Sequence, residues 1–405
     1  MTPSDAGDGK PNMPDGSDSL AVKVVSRIAE VPAAEWDACA GGNPFVSHAF
    51  LNALEESGSA TAETGWLPQH LVLENPQGGP GNKLLGCAPL YLKSHSYGEY
   101  VFDWNWADAY ERAGGRYYPK LQCSVPFTPA TGPRLLVNPA AARGEVEAGL
   151  TAAMLELARR HQVSSLHITF PPKEQYERLG EFGLLQRLGV QYHWVNRGYA
   201  DFDGFLADLA SRKRKAIKKE RRKVAESGIR LTPLSGADIT PRHWDAFFAF
   251  YMATADRKWG QPYLTRDFFH LLGERLADRV VLMVAEHEGA PVAGALNLKS
   301  DDTLYGRNWG CLERFRFLHF ETCYYQAIDY AIAHGLKTVE AGAQGEHKIQ
   351  RGYLPTPTYS AHWIADAGFS AAVEAFLVRE RRGMEREIEA LGDYSPFRQE
   401  TCPDD

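Results

Sequence analysis

The sequence predicts an α/β (α+β) fold in two tandem units, and three observations carry that expectation. Each half runs through a hairpin, a helix and a short apolar strand, near 69–93, 145–160 and 165–170, then near 280–298, 319–334 and 337–341. An echo accompanies this order. ARRHQVSSLHITF is followed by a strand with YHWV (Tyr192–Val195), and AIAHGLKTVEAGA by one with AHWI (Ala361–Ile364). The halves meet at 201–228, helical in pattern and strongly basic. Two copies of one unit explain the repeated order, and 405 residues leave room for about two domains.

Taken in order, residues 1–20 are mostly Pro, Gly, Asp and Ser and lack the apolar core of a signal peptide. They are expected to form a disordered tail. Ala21–Ile28 reads as a strand and Pro32–Cys39 as a short helix with Trp36 inward. Asn43-Pro44 starts a turn, Ser47 is placed to cap a helix, and Phe50, Leu51 and Leu54 form its apolar face. His48 falls in the first turn as a packing residue. Gln69–Glu74 and Leu84–Lys93 form a hairpin around the Gly-Pro loop 76–82. Ser94–Arg112 is crowded with aromatic and acidic side chains, either a wet core edge or a binding groove. Helix Glu145–Arg160 leads into strands Ser165–Phe170 and Val190–Val195.

The 201–228 segment begins with Phe205, Leu206 and Leu209 as docking residues. From Arg212 to Lys223, nine of twelve positions are Lys or Arg. So many cations on three turns repel one another, and a nearby polyanion relieves that repulsion. Phosphates of a substrate or RNA are the expected contact, with Arg212, Lys215 and Lys219 as candidates. No aromatics interleave, so base stacking is not indicated. The second unit starts at Ile229–Pro233. Helices over Trp244–Ala253 and Phe268–Leu276 precede a hairpin, Val280–Ala285 and Pro291–Leu298, turned at Glu288-Gly289. Thr303–Trp309 is a third strand, Gly368–Leu391 a long closing helix, and Asp393–Gln399 an irregular tail.

The densest chemistry lies in His319–Pro355. Phe320, Cys323, Tyr324, Ala327, Ile328, Ala331 and Ile332 make one helical stripe, and Gly335 ends it. Lys337–Ala341 is a short buried strand. The loop after it carries Glu340, Gln344, Glu346, His347, Lys348 and Arg351 among Gly342, Gly345 and Gly352. Ionisable groups just past the carboxyl end of a strand sit where α/β folds place ligands.

Composition excludes several classes. A hydrophobic content of 44% with 23% charged residues is that of an ordinary globular protein. The six cysteines form no C-x-x-C pair, which argues against structural zinc and fits a reducing compartment. No H-E-x-x-H, Walker loop, G-x-S-x-G or G-x-G-x-x-G is present. No run approaches the roughly 18–20 apolar residues that span a bilayer. A cytoplasmic location is expected, with peripheral contact at the inner face of the membrane left open. The formal charge of −7 says nothing about partners, because the basic residues are unevenly placed.

The segment VVLMVAEHEGAPVAGALNLKSDDTLYGRNWG followed by HFETCYYQAIDYAIAHGLKTVEAG resembles the GNAT (acyl-CoA N-acyltransferase) pattern. NPFVSHAFLNALEESG, EAGAQGEHKIQRGYLP and DYSPFRQ resemble the FemAB-like peptidoglycan biosynthesis/recognition proteins over roughly 22–400. The resemblance implies two GNAT-like domains, 21–200 and 229–405, joined by the basic helix 201–228. Each would have a mixed, mostly antiparallel central sheet flanked by helices. It also implies acyl or aminoacyl transfer to an amine, with a small-molecule or muropeptide acceptor. The donor would be acyl-CoA or aminoacyl-tRNA, with no tightly bound cofactor. One departure bears on the donor. Acyl-CoA enzymes of this fold carry a glycine-rich turn whose amides bind pyrophosphate. Here that turn reads Leu312-Glu-Arg-Phe-Arg-Phe-Leu-His-Phe, with Arg314 and Arg316 as the phosphate candidates. A non-catalytic binder of a cell-wall precursor or RNA is the alternative, and an atypical acyl-CoA N-acyltransferase is the third reading.

Acyl transfer to an amine needs a proton acceptor and oxyanion donors. No Ser–His–Asp or Cys–His set is visible, which favours direct attack. Glu346, Glu340 and His347 are the candidate bases. Arg307 and Asn308 would orient the acyl group, Lys348 and Arg351 would hold a carboxylate or phosphate, and Tyr353, Asp103 and Trp104 would complete the cleft.

Overall fold

The computed structural model describes residues 22–257, 262–342 and 345–398. The expected tail and Gln344 lie outside them. A four-stranded sheet runs Val22–Val25, His70–Glu74, Leu84–Ala88, Leu136–Val137. An eleven-stranded sheet spans both halves. Its order is Ile229–Leu234, Val280–His287, Ala290–Lys299, Thr303–Cys311, Thr338–Glu340, Leu185–Val195, Leu354–Ile364, Ser165–Thr169, Lys120–Cys123, Leu90–Lys93, Trp66–Pro68.

Local chemistry explains the elements. The first six residues of VVLMVAEH are buried, as a β-branched and apolar run demands. Its hairpin turns on Glu288 (φ 51°) and Gly289 (φ 80°), a pair of left-handed residues that suits the twist of a two-residue hairpin. Ser47 caps the helix His48–Glu56 by accepting from the Phe50 N–H. His48 packs, its Nε2 3.1 Å from the Ile28 carbonyl oxygen.

Four elements differ from the sequence reading. Leu84–Lys93 is cut at Pro89, which has no N–H to give a ladder. Its first part joins the small sheet and Leu90–Lys93 the large one. Ser94–Arg112 contains a helix, Trp104–Arg112. The basic segment is two helices, Phe202–Asp208 and Ser211–Glu226. They separate at Leu209-Ala210, where the Ala210 N–H donates to the Pro396 carbonyl (2.9 Å). The fourth difference concerns the echo. Strand 354–364 sits between 185–195 and 165–169, antiparallel to both. Strands of the second half thus lie within the sheet of the first.

Register also places polar residues on one buried face. Lys93 lies opposite Lys120, Gln122 beside His167, and His167 opposite His362, and all five are buried. The largest apolar cluster joins Trp36, Phe45 and Phe50 of the first half to Phe247, Phe268 and Leu296 of the second.

Candidate active site

Strand 303–311 runs parallel to 338–340 for only three pairs, Thr303↔Thr338 to Tyr305↔Glu340. Gly306 permits this close approach, since a Cβ there would stand 3.3 Å from the Glu340 carbonyl oxygen. Past that point no pairing continues among the described residues, and a cavity of about 420 Å³ opens at the diverging ends. The register shift between Leu296↔Asn308 and Asn297↔Gly306 leaves Arg307 without a cross-strand partner, and both Asn297 and Arg307 line the cavity. Asn308, Trp309, Tyr324, His347 and Lys348 also line it.

The helix after strand 303–311 widens into a π turn over Glu321–Tyr325, a local irregularity frequent at functional sites. Tyr324 leaves this turn with its hydroxyl 3.0 Å from His347 Nε2. Burial, then the charges of Arg351 and Lys348, push the His347 pKa down, so its imidazole is neutral near pH 7. Lys348 donates to the Gly342 carbonyl (3.0 Å), and burial lowers its pKa to about 8. Arg307 donates to the Phe127 carbonyl, and burial lowers its pKa.

Glu340 lies beside the cavity rather than in its wall. One carboxylate oxygen accepts from the Thr131 N–H (3.3 Å), and burial raises its pKa to about 8. It is therefore mainly protonated at pH 7, despite the Arg134 and Arg307 charges nearby. Glu346 is exposed and does not line the cavity.

Several expected site residues take up other positions. Arg351 stacks 3.5 Å over Phe320, donates to Glu220 (3.0 Å) and to the His347 carbonyl, and so ties the loop to the basic helix. Tyr353 is fully buried and donates to the Tyr324 carbonyl (3.0 Å), holding the π turn. Neither lines the cavity. Asp103 is buried in the first half, accepting from Lys120 and Tyr117, so it does not face this cavity. Trp104 lines a separate cleft of about 440 Å³ with Tyr97, Tyr100, Phe102 and Tyr263. Arg314 and Arg316 are exposed on a turn where Phe317 (φ 68°) takes the left-handed conformation. Arg212, Lys215 and Lys219 are exposed on helix 211–226, with no ion pair among the described residues. That helix is held from its other side. Ile217 and Val224 are buried, and Arg221 pairs with Asp329 (2.7 Å) and Glu321 (3.1 Å).

Trp309 and Tyr324 were not singled out as ligands in the sequence. Trp309 lies at the end of TLYGRNWG, where the irregular register at Arg307 brings Gly306, Arg307, Asn308 and Trp309 all to the cavity wall, which period-two alternation does not foretell. The π turn that aims Tyr324 has no sequence signature either. Among the described residues there is no group of side chains that could hold a metal ion, and no helix long and apolar enough to cross a membrane.

A short parallel strand pair that splays over a cavity, with a second parallel pair, 120–123 beside 165–169, in the same mixed sheet flanked by helices, defines a tandem GNAT-type fold. The chain belongs to the FemAB-like family, described as peptidoglycan biosynthesis/recognition, whose model matches residues 27–399. Its fold is similar to that of FemX, at 13% identity and a TM-score of 0.53, covering 85% of this chain and 98% of that one. It is also similar to the C-terminal domain of a putative lysylphosphatidylglycerol synthetase from Agrobacterium fabrum, at 9% identity and a TM-score of 0.51, covering 85% and 95%. No curated protein matches the chain.

Proposed function

We propose that the protein transfers an aminoacyl or acyl group to the amine of a peptidoglycan-precursor acceptor in the cavity between strands 303–311 and 338–340. The observation that carries this reading is the convergence of a neutral His347, Lys348 and Arg307 at the point where the strands part. His347 takes the amine proton as it attacks the acyl carbon, with Tyr324 fixing the ring. Glu340, protonated at pH 7, stays out of that step. Lys348 and Arg307 attract the anionic part of the donor or acceptor. Family membership supports the acceptor class.

The turn at 312–317 contains no glycine, which favours an aminoacyl-tRNA donor over acyl-CoA. The exposed cations of helix 211–226 would meet the tRNA backbone, and the Glu220–Arg351 ion pair would link that contact to the loop bearing His347. The test follows a labelled aminoacyl group from tRNA to a UDP-linked muropeptide, with acetyl-CoA as the competing donor. Transfer from tRNA alone is expected. The triple variant Arg212→Glu, Lys215→Glu, Lys219→Glu should weaken tRNA binding at least tenfold and flatten its salt dependence. Transfer from acetyl-CoA only, with unchanged tRNA binding, would reject this donor.

A further inference from the structure

Ser360, His362 and His167 lie outside that cavity and take no part in the transfer just described. Strands 165–169 and 354–364 pair with His362 opposite His167. Each carries a Ser-x-His, at Ser165-Leu166-His167 and Ser360-Ala361-His362. Side chains two apart share a face, so each serine reaches its own histidine. Ser165 Oγ is 2.8 Å from His167 Nε2, and Ser360 Oγ is 2.9 Å from His362 Nε2. The two rings meet Nδ1 to Nδ1 at 2.7 Å, so one nitrogen carries a proton and the other accepts it.

The buried end of the chain sets the direction. Desolvation opposes ionisation of Asp103, but the Lys120 ammonium holds its carboxyl below the usual range. The Tyr117 hydroxyl donates to that carboxylate (2.7 Å), leaving its oxygen (3.3 Å) to accept from His167 Nε2–H together with the Ser165 oxygen (2.8 Å). His167 Nδ1 then accepts from His362 Nδ1–H. His362 Nε2 is left as a bare lone pair facing the Ser360 hydroxyl. Burial keeps both rings neutral, with His167 pushed down to about 3.

Of the two serines, Ser360 lines a cleft and Ser165 is absent from its walls. The cleft holds about 230 Å³ between the sheet, Tyr100–Phe102 and Met384 of the closing helix. Gly189 leaves its floor open, since a Cβ there would come 2.9 Å from Thr358 Oγ1. The cross-strand partner of Ser360 is Arg187, also in the cleft wall. Its Nε and Nη2 bind Glu380 (2.8 Å each) and Nη1 donates to the Phe102 carbonyl (2.8 Å). Two of its five N–H groups remain for a ligand. A hydroxyl, its base, a group orienting that base and an adjacent cation make up a nucleophilic site.

We propose that Ser360 is an acyl-accepting nucleophile, a second reactive site that cleaves small acyl esters or thioesters in the cleft beside Arg187. Ser360 Oγ bonds to the acyl carbon, and the bond from that carbon to the leaving oxygen or sulfur breaks. The serine proton passes to His362 Nε2 and on to the leaving group. Arg187 faces the developing oxyanion. Water then attacks the acyl-serine, gives its proton to His362, and the acid leaves as Ser360 recovers its hydrogen. The Tyr100, Phe102 and Met384 walls suit a short apolar acyl chain.

The test treats the full-length protein with a fluorophosphonate, which phosphonylates activated serines with loss of fluoride, and maps the adduct by mass spectrometry. An adduct on Ser360 is expected, retained in Ser165→Ala and absent in Ser360→Ala. Release of p-nitrophenol from p-nitrophenyl butyrate should fall at least 100-fold in Ser360→Ala. Thermal unfolding verifies that each variant is folded, and the wild-type adduct map needs no variant. Folded wild-type protein that carries no adduct on Ser360, or hydrolysis that survives Ser360→Ala, overturns the proposal.

Discussion

Replacing His347 by Gln should lower kcat by at least about 100-fold, the lower range for loss of a general base. KM should change less than threefold, because Lys348 and Arg307 are untouched. The thermal midpoint should stay within a few degrees, since His347 is an exposed residue whose side chain hydrogen-bonds to Tyr324. The pH profile gives an independent check. Burial, Arg351 and Lys348 all push this imidazole down, so the acid limb of kcat/KM should fall below pH 6.5 and vanish in the variant. Glu346→Gln should behave as wild type, because that carboxylate is exposed and outside the cavity wall. A Glu346→Gln enzyme as crippled as His347→Gln would reassign the base.

The second large effect is on stability. Glu340→Gln should stabilise the fold by about 3 kcal/mol at pH 7, with no gain at pH 4. The sign follows from the folded pKa, raised from 4.5 to about 8. Both states are protonated below pH 4.5. Above it the unfolded chain releases the proton while the fold retains it, so native stability is lost as pH rises towards 8. His193, directly opposite Glu340 in the sheet, works the other way. Burial, then the Lys348 charge, lowers its pKa to about 4. Its contribution is intact above pH 6.5 and is lost as pH falls towards 4. His193→Gln should therefore gain on wild type only below pH 6.5, by about 2 kcal/mol at pH 5. Urea titrations at pH 4, 5, 7 and 8 measure both. A Glu340→Gln gain that is equal at pH 4 and pH 8 would mean this carboxyl does not hold its proton in the fold.

Much of this architecture is legible in the sequence because period and punctuation report local structure. VVLMVAEH, the Glu288-Gly289 turn and Gly335 each announce their element. The loop at 345–351 is visible from its charge density, and His347 and Lys348 do reach a cavity wall. Arg351 and Asp103 show why composition stops short. A charged side chain looks the same in sequence whether it faces a ligand or a buried counter-charge, and Glu220 and Lys120 decide the matter from distant positions. Ser360 and His362 escaped for a different reason. Two residues in a strand acquire meaning only when the neighbouring strand is known, and that neighbour lies 195 positions away.

The seat of strand 354–364 has a further consequence. Severing the chain between its halves would leave a vacant slot between 165–169 and 185–195 in one fragment and an orphan ribbon in the other. The two halves are interlocked through this sheet, and neither is a detachable module. A change that loosens the second half will be felt on the far side of the first.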